Sequence, residues 1–539
     1  MKKLLTYSIS LGWLFFALSA CHKVEVPVST ELTPEVFPQD SAQFVQAAGP
    51  AYVALRGNYG VEYFFQQSFS TDEGIMPARG GNWYDGGQNK EMHYHSWTRD
   101  NGYVNGNWTW LVTTIGATNQ ALSVLGKTMP EGSFKQTSLA ELKMVRALAY
   151  FMFMDNYGNV PIDTLYGDFS PKPNVPREQV FDFIEDEIKA AMPFLSSATG
   201  ITTYGRPNLY TAYALLAKMY LNAEIYTHTQ RNDDCIAACD KIIQSGKYAL
   251  ASRDSYLKMF YPDNGPQTPE FIFAIPYDPS ASNTLPFRSV NIHARYDVPR
   301  SETAKFGLPF TPGGPASTLP EYYAFFNDAG DVRNGQWLTG LQYMNDGVTP
   351  VTVATTNLGY NQFYSGSDPS GALLFHVKLT PDIVLRQGDA SQFDVGNDEI
   401  GWNMGYRNIK FYPDASSPSR NQNNDIPVFR YADILMMKAE AILRGGAVTG
   451  GQTALSLVNE LRSQRTTAAA WTGITLETLY AERTREFAWE GWRRNDMIRF
   501  GKYEGKWGFK TNDQVTRRIF PIPTAALNLN HELEQNPGY

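Results

Sequence analysis

Cysteine and histidine are scarce in this 539-residue chain, at 3 and 7. So few cysteines exclude a fold stapled by disulfides. Cys235 and Cys239 lie four apart in the stretch Asp234 to Ser245, on one helical side with Ala237, Ala238 and Ile242. No further ligand stands at a zinc-like spacing, so they read as small core residues, with a helical disulfide as the alternative. His93 and His95 likewise have no third ligand nearby and read as a loop pair. A basic excess is also missing: 46 Lys and Arg face 54 Asp and Glu, a formal net charge of -8. That balance argues against a broad nucleic-acid-binding surface. No Gly-rich phosphate loop precedes a Lys-Ser/Thr pair, and no dinucleotide fingerprint follows a strand, so no cofactor is expected. Asp394, Asn397, Asp398 and Glu399 offer oxygen ligands, but their order is not that of a calcium loop, and they read as a solvated acidic turn. No run beyond residue 20 approaches eighteen apolar residues, so no spanning helix is expected in the body.

Aromatic rings are abundant instead: 11 Trp, 31 Tyr and 31 Phe. Hydrophobic residues at 43% and charged residues at 19% exclude wholesale disorder. At the N-terminus Lys2 and Lys3 precede the apolar stretch Leu4 to Leu18, which closes on Leu18-Ser19-Ala20-Cys21. This is the pattern of a secretory leader over residues 1–20. Its end resembles a bacterial lipobox, with Cys21 as the acylated residue. Residues 21–39 carry Pro27, Pro34 and Pro38 without helical period and read as an extended tether.

The remainder, residues 40–539, reads as one body. Helical period is clear from Ser41 to Leu55, from Ser138 to Met154, and from Pro176 to Leu195. It continues from Asn208 to Tyr226, where Asn208 is a plausible cap, and from Asp233 to Ser245. Later helices are expected over Tyr431–Leu443, Thr453–Arg465 and Leu476–Phe500. Short connections pair several of them into hairpins of tetratricopeptide type, which bury their facing stripes by stacking. The expected fold is therefore all-α, with the scaffold mainly in 40–56, 138–260 and 425–539. Two irregular tracts, 68–110 and 262–399, are rich in Gly, Asn, Asp, Tyr and Trp and read as loop-rich lobes laid over that frame.

Several motifs then coincide. They are Arg146-Ala-Leu-Ala-Tyr-Phe with Tyr157-Gly-Asn-Val-Pro161, Gly205-Arg-Pro with Ala214-Leu-Leu-Ala-Lys-Met-Tyr-Leu221, and Phe429-Arg-Tyr-Ala-Asp-Ile-Leu-Met-Met-Lys-Ala-Glu440. Val458-Asn-Glu-Leu-Arg462 and the terminus Gln535-Asn-Pro-Gly-Tyr539 join them. The sharpest is Glu482-Arg483-x-x-Glu486-Phe487-x-x-Glu490-Gly491-x-Arg493-Arg494-x-Asp496. With the lipobox, these make the chain resemble the SusD/RagB family, outer-membrane nutrient-binding lipoproteins of Bacteroidetes. The resemblance implies tetratricopeptide-like hairpins under an irregular binding lobe. It also implies a glycan ligand, no catalysis, a SusC-like TonB-dependent transporter as partner, and a lipid anchor in the outer membrane, facing the cell exterior. The alternatives are a secreted glycoside hydrolase, a peptide- or other nutrient-binding surface protein, and an adhesin. The Glu482–Asp496 motif itself reads as scaffold ion pairs within a helix.

Sugars present apolar C–H faces ringed by hydroxyls, so a site needs exposed rings beside planar polar groups. Thr71 to Asp85 offers both: Asp72, Arg79, Asn82, Trp83 and Tyr84, with Gly80, Gly81, Gly86 and Gly87 to shape the backbone. A mutual Asp72–Arg79 salt bridge is the structural alternative. The resemblance adds an aromatic arc from the middle of the chain, which points to Trp337 and Tyr360, with Tyr343 and Tyr364 nearby. Trp97, Trp108 and Trp110 read as packing rings.

Overall fold

The computed structural model describes residues 37–278, 293–356, 364–386, 392–418 and 420–539. The leader, Cys21, most of the tether and Tyr360 lie outside the described residues. Among the described residues no helix is long and apolar enough to cross a membrane.

The protein is mostly helical, and side-chain caps set the helix starts. Asp40 accepts from Gln43 N to open Ser41–Asn58, and Asn208 forms a capping box with Thr211 ahead of Leu209–Leu221. Thr453 caps Ala454–Ser463, and Thr475 with Thr478 boxes Leu476–Glu486. Each cap satisfies amides that the first turn leaves without partners. Leu209–Leu221 packs on Asn232–Ile243, and Tyr431–Leu443 on Ala454–Ser463, as the periodicity predicts. The two hairpins then meet, Asn232–Ile243 against Tyr431–Leu443. Ala212, Ala214 and Ala217 are fully buried on Leu209–Leu221 and permit close helix approach. Cys235 and Cys239 are buried free thiols in this core, not a disulfide.

The tract 68–110 is more ordered than its composition suggests. It contains Gln88–Tyr94 and the start of the 27-residue helix Gly102–Thr128. Gly102, Gly106, Gly116 and Gly126 lower helix propensity there. Packing between Ser41–Asn58 on one side and Ser133–Tyr157 on the other overrides that weakness. Trp97, Trp108 and Trp110 are buried, as expected of packing rings. Strands are short. Phe271–Ile275 pairs antiparallel with Ile426–Arg430, and Thr352–Thr355, Leu373–His376 and Tyr364–Ser367 form a three-stranded sheet with Leu373–His376 central.

The expected helix Leu476–Phe500 is broken. Leu476–Glu486 stops, Trp489 and Gly491 take positive φ (64° and 76°), and Arg493–Arg499 resumes. The break spreads the motif's charges in different directions. Glu482 and Arg485 pair at 2.5 Å as their spacing predicts, but Glu490 does not meet Arg493. Glu490 instead takes Lys410 and Arg430, while Arg493 reaches Asp72 at 2.6 Å. Glu486 is a hub, buried under the guanidiniums of Arg333 (3.0 Å), Arg430 (2.6 Å) and Arg465 (3.1 Å). Arg333 also binds Asp331 and Glu482, and Arg430 and Arg465 share Glu270. The network therefore fastens the second lobe, through Asp331 and Arg333, to the helical frame. Arg483 binds Asp496 and Asp433 in the adjoining cluster.

Burial alone would raise Glu482, but the guanidiniums of Arg333, Arg485 and Arg462 outweigh it and hold the carboxyl at about 2. A depressed folded-state pKa contributes stability that is present above about pH 4.5 and lost as pH falls toward about 2. Glu482→Gln should lower unfolding stability at pH 7 by about 3 kcal/mol. It should also flatten the acid limb of denaturant melts taken from pH 5 to pH 2. A variant whose acid limb runs parallel to wild type would contradict the role given to Glu482.

Candidate functional site

Six of the eight residues from Gly80 to Gly87 have positive φ: Gly80, Gly81, Trp83 (61°), Asp85 (48°), Gly86 and Gly87. Glycine enters this region freely, but a tryptophan there costs about 1–2 kcal/mol. Such a conformation persists only where its surroundings fix it. Asp394, buried, supplies one clamp: its carboxylate accepts from Gly80 N (2.9 Å), Gly81 N (2.6 Å) and Gly396 N (2.8 Å). Asn89 supplies another, donating to Trp83 O at 3.1 Å while itself held by the Tyr103 hydroxyl.

Arg79 is the third clamp. Its guanidinium is fully buried and donates to Pro315 O, Gly401 O (2.8 Å), Trp402 O and Met404 O, and to the Ser317 hydroxyl. Arg79 is therefore not a ligand group. It ties the loop of Trp83 to the segments 315–317 and 401–404. Burial, then the neighbouring Arg407, push its pKa well below the usual guanidinium range, with Asp394 opposing. Arg407 is fully buried beside it and donates to Gly314 O, Met404 O, Gly405 O and Trp402 O.

This clamped backbone presents rings. Trp83 is half-buried and lies edge-on to Trp402, also half-buried, with centroids 5.3 Å apart at 77°. A Cβ on Gly313 would come within 2.8 Å of Trp83 Cζ2, so only glycine lets that segment approach the indole. The Arg300 guanidinium lies 3.8 Å above the Trp402 ring and donates to Glu399 at 3.0 Å. Burial raises the Glu399 carboxyl above its usual range, against the pull of Arg300. Around the rings Asn82, Asp85 and Asn397 are exposed, and Tyr84 is 36% exposed. The arrangement suits a ligand with a flat apolar face and polar edges. Stacking would fall to Trp83, Tyr84 and Trp402, hydrogen bonding to Asn82, Asp85, Asn397 and Arg300.

The remaining sequence candidates go elsewhere. Asp72 is buried and ion-paired with Arg493, so neither a ligand contact nor the Asp72–Arg79 bridge forms. Beside it, burial lifts the Glu73 carboxyl to about 7, although Trp489 N, the Ser68 hydroxyl, nearby Arg493 and Tyr322 oppose this. Trp337 is 7% exposed, packed among Tyr323, Phe326 and Trp489. Its ring serves the seam between lobe and frame and not an open arc. Tyr343 lies edge-on to His376, and Tyr364 opens its strand opposite Phe375. Trp402, Arg300, Asp85 and Asn397 were not among the sequence candidates, Asn397 having been read as part of the acidic turn. For Trp402 the available signal was the Gly396–Gly405 stretch, which, like Gly80–Gly87, sets one tryptophan among glycine and asparagine.

The acidic turn has no calcium-like convergence. Asp394 is spent on backbone amides, Asp398 caps Glu399–Trp402 and pairs with Arg386, and Glu399 pairs with Arg300. Among the described residues no group of three or more His, Cys, Asp or Glu is placed to hold a metal ion. His93 Nε2 accepts from Phe509 N and His95 Nε2 meets Ser70 O. Burial, and then Lys510, keeps both rings neutral, His93 down to about 3.

Comparison with known proteins matches the same parts of the chain. The SusD family profile fits residues 380–539, and a profile described as "Starch-binding associating with outer membrane" fits residues 64–221. The starch-binding protein SusD of Bacteroides thetaiotaomicron is 26% identical over 432 residues, covering 74% of this chain and 72% of the relative. A SusD-like protein of Formosa agariphila is 24% identical over 556 residues, covering 98% and 97%. Among solved structures, a laminarin-binding SusD-like protein superposes with a TM-score of 0.70 at 20% identity, over 93% of this chain and 100% of that one. The 64–221 profile takes in Arg79 and Trp83, the 380–539 profile takes in Trp402 and the Glu482–Asp496 motif, and over both stretches the chain is SusD-like.

Proposed function

We propose that this protein captures a polysaccharide or oligosaccharide at the cell surface and passes it to a SusC-like TonB-dependent transporter. A lipid on Cys21 would hold it to the outer membrane, facing outward. The observation that carries this reading is Trp83, set in a left-handed conformation against Trp402 and left half-open to solvent. A fold that holds a bulky ring in an unfavourable backbone region, by three separate clamps, is organised to present that ring. The glycan-binding relatives support the same reading. Ring faces would supply affinity and the exposed Asn82, Asp85 and Asn397 would orient hydroxyls. A dissociation constant near 1 μM corresponds to about -8.2 kcal/mol. That suits a ligand that must be released again.

Binding without bond cleavage fits the carboxylates at the rings. Asp394, Asp398 and Glu399 are committed to backbone amides, Arg386 and Arg300, and Asp85 is the one exposed carboxylate at the rings. A glycosidase would need two carboxyl groups free to act as acid and as base or nucleophile. Release of reducing ends at a catalytic rate from any polysaccharide that the protein binds would overturn the binding-only reading.

Two variants separate presentation from contact. Trp83→Ala should weaken binding to a polysaccharide found by glycan array about tenfold, with an almost unchanged melting temperature. Arg79→Lys keeps the charge but loses the planar fork, and should lower melting temperature and affinity together. Full affinity in folded Trp83→Ala would remove the stacking role. Cys21→Ser should move the protein from the membrane fraction to the soluble fraction, and persistent membrane attachment would argue against the lipid.

A further inference from the structure

Outside the Trp83 site stands an aromatic pair that is stacked and not edge-on. Tyr261 and Tyr412 lie face to face, centroids 4.5 Å apart at 26°, and both are half-buried. Their backbones are stitched together: Tyr412 N donates to Phe260 O, and the buried Asn424 amide donates to both Phe260 O and Tyr412 O at 2.8 Å. Phe306 meets Tyr412 edge-on at 5.4 Å, bracing the stack from the second lobe. Tyr261 lines an open basin of about 610 Å³. One wall, Asn264, is rigid: its amide donates to Met259 O and Asp425 O and accepts from Asp425 N.

The basin's chemistry selects among ligand classes. Its accessible groups are mostly neutral: the Ser252 and Ser255 hydroxyls and the Gln267 side chain, exposed beside Tyr261. One cation, Lys258, is accompanied by one carboxylate, Asp263. A phosphate or polyanion would require a cationic excess, and a protein partner a larger apolar wall. A rigid ring beside hydroxyls and amides fits a neutral, hydroxyl-rich ligand.

We propose that the basin beside the Tyr261–Tyr412 stack is a second contact for saccharide, engaging another stretch of the polymer bound at Trp83 and Trp402. This rests on the glycan reading above. A polymer held at two places gains avidity through effective concentration, whereas a short oligosaccharide gains none. The second site therefore discriminates by chain length: it favours intact polysaccharide over its breakdown products.

Affinity electrophoresis of the full mature chain through gels containing laminarin, soluble starch or polygalacturonate tests this, with a trisaccharide cut from the retarding polymer titrated separately. Tyr261→Ala should weaken polymer retention about three- to tenfold. Tyr261→Phe should behave as wild type, and trisaccharide affinity and melting temperature should be unchanged. Gln267→Ala, which spares the ring stack, should weaken polymer retention in the same direction. Wild-type retention in both Tyr261→Ala and Gln267→Ala overturns the second contact while leaving the Trp83 site intact. Equal losses for polymer and trisaccharide, or a loss in Tyr261→Phe as large as in Tyr261→Ala, also overturn it. A wild-type protein retarded by none of the polymers refutes the glycan reading for these probes and this inference with it.

Discussion

A guanidinium sealed from water, with no carboxylate in its hydrogen-bonding shell, constrains everything around it. Arg79 meets its need for acceptors with carbonyl oxygens from residues 315, 401, 402 and 404. Those carbonyls cannot turn away without leaving a buried charge unsolvated, a cost of several kcal/mol. Three chain segments far apart in sequence are thereby fixed in one arrangement. Trp83 stands four residues beyond this staple, and Trp402 is itself one of the acceptors. The relative placement of the two indoles follows from a cation that touches neither ring.

The frame beneath repeats the logic with paired charges. Glu486 and Glu482 gather arginines from the second lobe, the Ile426–Arg430 strand and the Ala454–Ser463 helix end. Asp72 and Glu73 bring the first loop to the same region through Arg493 and Trp489 N. Glu73 acts with the opposite sign to Glu482. Its folded-state pKa is raised to about 7, so its contribution is present below about pH 4.5 and lost as pH rises through about 7. Docking of the lobes therefore carries an acid-sensitive part and a part that weakens toward neutrality.

Much of the frame was legible in the sequence because helical period and caps are local signals. Asn208 as a cap and a helix beginning at about residue 453 read correctly from residues a few positions apart. Gly102–Thr128 did not, because its glycines deny local propensity and only packing on two neighbouring helices makes it a helix. The break at Phe487–Trp492 was invisible for a related reason, since the φ of Trp489 is set by long-range partners such as Glu73. At the site, Trp83, Tyr84 and Asn82 were readable as a glycine-shaped aromatic loop. Arg79 and Asp72 were not readable as buried, because a polar residue in a loop looks the same whether it meets ligand or carbonyls three hundred residues away. Trp402 escaped notice for the converse reason: its partner ring lies in another segment.

Labelling the protein with 5-fluorotryptophan and titrating it with a bound polysaccharide asks most directly whether rings held out by a buried staple are the surface the ligand meets. The fluorine resonances of Trp83 and Trp402, assigned by substitution, should shift on binding, while those of the buried Trp97, Trp108, Trp110, Trp337 and Trp489 stay in place. Saturable binding that leaves Trp83 and Trp402 unmoved would show that the ligand is met elsewhere on the molecule.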